Sequence, residues 1–66
     1  MERLTEARTI AIGMGGTITN NDVGFIVCFA ASQTAEQFVM LIEEYEEITA
    51  EQQQRCVIVV TVNSLM

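Results

Sequence analysis

Residues 9–31, TIAIGMGGTITNNDVGFIVCFAA, decide how the chain is read. Two apolar runs, 9–19 and 22–31, flank Asn20-Asn21, and asparagine tolerates the positive φ that tight hairpin turns require. The spacing predicts a β-hairpin. A two-residue loop would pair Thr19 with Asp22, Ile18 with Val23, Gly16 with Phe25, Met14 with Val27 and Ile12 with Phe29. One face would then carry Ile10, Ile12, Met14 and Ile18 opposite Val23, Phe25, Val27 and Phe29. The other would carry Thr9, Ala11, Gly13, Gly15 and Thr17 opposite Gly24, Ile26, Cys28 and Ala30. Large side chains collect on one side, and a slip of one residue would mix the two sets. Phe25 opposite Gly16 has the form of an aromatic covering a strand glycine. A rival turn at Gly15-Gly16 gives a shorter hairpin and a further strand.

Beyond this segment, Ala35, Phe38, Leu41/Ile42, Tyr45 and Ile48 recur at helical spacing, predicting a helix over 34–47 capped by Ser32 or Thr34. Thr34-Ala-Glu-Gln37 and Thr49-Ala-Glu-Gln52 both have the form of a capping box, so one more helical turn is expected at 50–54. Residues 56–62, almost wholly β-branched and apolar on both faces, predict a third strand covered on both sides. The expected fold class is α+β: a single β-β-α-β domain, its three-stranded, mostly antiparallel sheet covered by one helix. Strand three is placed beside strand one and antiparallel to it, with parallel pairing to strand two left open. The second sheet face, with Ile26, Cys28, Ala30 and one side of strand three, would remain apolar. A soluble monomer rarely exposes such a patch, so a homo-oligomer, a dimer or higher, is expected to bury it.

The chain has 66 residues, half of them apolar. Domains this small usually need disulfides, a metal or oligomerisation. Cys28 and Cys56 lie within apolar runs and read as buried free thiols in a reduced, cytoplasmic protein. No histidine and no Cys-x-x-Cys is present, so neither a metal site nor a cofactor is expected. Net charge is −6, with no lysine and only Arg3, Arg8 and Arg55, which disfavours direct contact with nucleic acid or anionic membrane. The longest apolar runs fall well short of a bilayer span, and the N-terminus does not read as a signal peptide.

Few residues offer chemistry. Gly13, Gly15, Gly16 and Thr17 follow an apolar run and form a candidate ligand-binding segment, where bare backbone would approach a phosphate. They make neither a dinucleotide fingerprint nor a P-loop, and a bulge or close packing between sheets is the plainer explanation. Residues 10–19, through Gly15-Gly16-Thr17-Ile18, resemble the strand and loop that carry the threonine nucleophile of bacterial-type asparaginases. That family also uses a second threonine with an aspartate, and a lysine; this set has no counterpart here, and Thr17 reads as a strand residue. A cysteine nucleophile lacks a base, since the chain has no histidine. No catalytic residues are assigned, and the protein is not expected to be an enzyme.

Glu43-Glu44-Tyr45-Glu46-Glu47 is the most informative motif. Like charges four residues apart repel on a helix, and a helix C-terminus favours cations, so local energetics oppose the run. With Glu36 and Met40 it forms a candidate partner-binding surface. A solvated face that keeps an apolar oligomer in solution is the plainer explanation. The leading expectation is a non-enzymatic acidic binding protein that mimics nucleic-acid phosphates and docks on a basic protein. In size, charge and economy it is similar to small phage-encoded inhibitors of host defence. The alternatives are a homo-oligomer holding a small molecule or nucleotide between subunits near Gly13–Thr17, and a structural subunit of a larger assembly.

Overall fold

The first element is a helix where the hairpin reading places a strand. The computed structural model describes residues 2–62, beginning with α1 (Glu2–Gly13). Leu4, Ala7 and Ala11 recur at i, i+3 and i+7 and are buried, so α1 packs through a stripe that is mostly alanine. Of the β-branched residues that suggested a strand, Ile10 packs half-buried against the core, while others face out. Ile12 is 63% exposed, and the Thr9 hydroxyl donates to the Thr5 carbonyl at 3.1 Å, back-bonding of a kind that helices tolerate. Helix α1 closes in a Schellman motif. The amide of Gly15, at φ 86°, donates to Ile12 O, and the amide of Gly16 donates to Ala11 O. Gly15-Gly16 therefore joins a helix to a strand and turns no hairpin.

The hairpin comprises β1 (Thr17–Asn20) and β2 (Gly24–Cys28). Thr17 pairs with Cys28, Ile18 with Val27, and Asn20 with Phe25. The expected two-residue loop at Asn20-Asn21 is replaced by a longer one. Asn21 Oδ1 accepts from the amides of Val23 and Gly24 at 2.9 and 2.8 Å, and the Asn21 amide donates to Gly24 O. This Asx-type turn consumes Asp22 and Val23, so the partners move by an even number of residues and the faces are preserved. Phe25 consequently lies opposite Asn20; Gly16 packs against Val27 and Phe29 instead.

Helix α2 (Ser32–Ile42) buries Ala35, Phe38 and Ile42, as the periodicity predicts. It ends at Ile42, five residues before the expected end, and its N-cap Ala31 makes no side-chain cap. The acidic run opposes the helix dipole and its own charges repel, and the chain turns there through Tyr45 N–H to Ile42 O and Ile48 N–H to Tyr45 O. Thr49–Gln52, expected to cap a second helical turn, lies in β3 (Ile48–Gln53), which pairs along its whole length with β4 (Cys56–Thr61). Gln54, at φ 57°, and Arg55 connect the two strands.

The described residues form an α+β fold with two helices and a four-stranded antiparallel sheet in the order β1-β2-β4-β3. It has one strand and one helix more than expected. Strand β4 lies between β2 and β3, antiparallel to both, rather than beside β1. The chain divides into two αββ halves, joined in the sheet through β2 and β4. Both helices contribute to one core with Phe25, Phe29, Val27, Val57, Val59 and Ile48. The Phe29 and Phe38 rings stand 5.4 Å apart.

A further correction concerns the cysteines. Cys28 and Cys56 lie directly opposite each other on the two central strands and form a disulfide. Their position inside apolar runs suggested inert core thiols. The run is apolar because β2 and β4 are central, and the cysteines occupy the face opposite the helices.

Candidate functional site

Side chains alternate across a strand, so burial of Phe25, Val27, Val57 and Val59 against the helices sends Ile26, Cys28, Cys56, Ile58 and Val60 to the other face. These five are half-buried, and no element among the described residues lies over them. Thr17 and Thr19 flank them on β1; Thr49, Glu51 and Gln53 flank them on β3. The Ile26–Ile58 pair sits midway along the β2–β4 ladder. This is the open face expected from the sequence, except that Ala30 falls beyond the strand, exposed in the turn to α2.

The candidate partner-binding residues divide between a helix and a loop. Glu36 and Met40 are exposed one turn apart on α2, away from its buried stripe, and Glu43 is exposed at its C-cap, where the connection to β3 begins. Glu44, Glu46 and Glu47 are exposed in the connection from α2 to β3, not on a helix as expected. Arg3 reaches this loop: its guanidinium lies 2.9 Å from Glu6, 3.7 Å from Glu47 and 5.3 Å from the Tyr45 ring centre. The hydrogen bond to Glu6, then the charges of Glu6 and Glu47, raise the Arg3 pKa above its ordinary value. Among the described residues, Glu43, Glu44 and Glu46 take part in no salt bridge. Met40 and Leu41, 67% and 50% exposed, border a shallow apolar depression with Gln37.

The residues of the candidate ligand segment lie in different surroundings. Gly13 belongs to the last turn of α1. Gly16 is packed so closely that a Cβ would meet Val27, Phe29 and the Ala11 carbonyl. Gly15 and Thr17 do share a recess of about 410 Å³, with Cys28, Phe29, Ala30, Arg55 and Cys56. Sequence reading missed the last five because the cysteine pairing depends on register. Arg8 is committed elsewhere, donating to Asn20 Oδ1 at 2.8 Å and lying 5.3 Å from the Phe25 ring centre. Among the described residues, Arg55 forms no salt bridge.

Among the described residues, no group of three or more His, Cys, Asp or Glu side chains is placed to hold a metal ion. No helix among them is long and apolar enough to cross a membrane. Compared with family models, curated proteins and solved structures, the chain matches none.

Proposed function

We propose that this chain is a non-enzymatic acidic binding protein, with its carboxylates docking on a basic protein surface of the kind that nucleic acid occupies. The observation that carries this reading is the α2–β3 connection, where four glutamates in five residues are exposed and three of them have no cationic partner among the described residues. Folding does not call for that arrangement, since the run curtails α2 and repels itself. Glu36 and Met40 extend the surface along α2, and methionine adapts to partners of varied shape. In this reading a second copy covers the open sheet face about Ile26 and Ile58, leaving the acidic loops of both copies outward.

The expected cytoplasmic location rested on free thiols. The Cys28–Cys56 bond removes that support and favours an oxidising compartment, or an oxidising moment in the protein's life.

The test is capture from an extract of the native host, with the wild type and the Glu43→Gln, Glu44→Gln, Glu46→Gln, Glu47→Gln quadruple variant. A basic protein held by the wild type, lost with the variant and eluted by heparin supports the reading. The same captured proteins on both baits reject it.

A further inference from the structure

A row of four residues crosses the sheet at one end of its open face. Thr17 pairs with Cys28, Cys28 with Cys56, and Cys56 with Gln53. Directly opposite residues in an antiparallel sheet point to the same side, so the disulfide lies between a hydroxyl and an amide. Both cysteines are half-buried rather than sealed in the core. Strand β2 ends at Cys28 and β4 begins at Cys56, so the bond is the end row of the face, next to the Ile26–Ile58 row. The recess above it is bounded by Gly15, Ala30 and Arg55, and its size falls within the range of small-molecule pockets. Arg55 is the cation of this recess and is unpaired among the described residues.

We propose that Cys28–Cys56 is a thiol–disulfide exchange site for a low-molecular-weight thiol that enters this recess. The incoming thiolate attacks Cys28 Sγ, forming a new S–S bond as the Cys28–Cys56 bond breaks. The electron pair leaves on Cys56 Sγ, and Arg55, next in sequence and the one cation lining the recess, supplies the positive charge that favours the thiolate. A second small-molecule thiolate then attacks the small-molecule sulfur of the mixed disulfide, and the bond to Cys28 Sγ breaks, releasing Cys28 as a thiolate. The net change is two thiols oxidised to one small disulfide and one protein disulfide reduced to a dithiol, with both protons taken up by the cysteines. The exchange is stoichiometric, and it does not depend on the acidic docking surface.

The oxidised protein is incubated at neutral pH with reduced glutathione, quenched with acid and mapped by peptide mass spectrometry. A parallel arm uses reduced thioredoxin as a protein dithiol. The expected result is a glutathionyl group on Cys28 of the folded protein. Arg55→Gln is expected to slow its formation on the order of fivefold, the effect of one charge near a thiolate at a solvated surface. That difference should vanish in urea, where the recess is gone. Circular dichroism checks that the exposed Arg55 variant folds. A native disulfide that glutathione leaves intact, including one that only thioredoxin opens, overturns the proposal. An adduct on Cys56, or an Arg55→Gln rate equal to wild type, overturns the assigned direction of exchange and the role of Arg55.

Discussion

Removing the disulfide should have a large and calculable effect on stability. Cys28 and Cys56 are 28 residues apart, and in the chain-entropy model closing a loop of that length is worth about 3.5 kcal/mol at 25 °C. A domain of this size has a total stability of only about 3–10 kcal/mol. The crosslink also joins the two αββ halves at the β2–β4 pairing. The perturbation is Cys28→Ala with Cys56→Ala, at positions that are half-buried, so the loss of packing is small beside the loss of the crosslink. The assay is urea unfolding followed by circular dichroism. With a slope of about 1 kcal/mol/M for so small a domain, the midpoint should fall by about 3.5 M. Coincident curves would refute the reasoning, as would two titratable thiols in the native wild type.

Other outcomes follow from the same geometry. Phe38→Ala removes a fully buried ring that packs tilted against Phe29 and should cost about 3–5 kcal/mol, enough to abolish cooperative thermal unfolding. Gly15→Ala places a Cβ in open space but at positive φ, so differential scanning calorimetry should show a loss of about 1 kcal/mol. Gly16→Ala, which drives a Cβ into Val27, Phe29 and the Ala11 carbonyl, should cost more than Gly15→Ala in the same scan. Ile58→Lys puts a charge at the middle of the open face; sedimentation should show the wild type as a homo-oligomer and the folded variant as a monomer.

What was legible in the sequence was the parity of the strands and the stripe of α2. Alternation from Ile18 to Val27 sorted the two sheet faces correctly even though the register was shifted, because an even shift leaves every side chain on its own side. Ala35, Phe38 and Ile42 announced the buried side of α2 for the same kind of reason. Helix α1 was not legible because its buried stripe is Leu4, Ala7 and Ala11, and alanine gives little contrast with its neighbours, whereas the exposed Ile12 imitates a strand. Strand β3 was hidden by Thr49-Ala-Glu-Gln52, a local helix-start pattern overridden by pairing with the strongly β-forming β4. The cysteine row depends on the register of β2 against β4, a contact between segments 28 residues apart that no local pattern reports. Of the site residues, the acidic run was visible as charge, but its place in a connecting loop became clear only once α2 was seen to stop at Ile42.

If the carboxylates of this chain dock where nucleic acid binds, the two ligands must exclude each other on the partner. Competition on the captured partner tests this most directly. The partner is loaded with a fluorescent oligonucleotide and titrated with this protein while anisotropy and complex mass are followed. The account predicts mutually exclusive binding: the oligonucleotide is displaced as this protein binds, and the glutamine quadruple variant fails to displace it. A stable ternary complex of partner, oligonucleotide and this protein would contradict it.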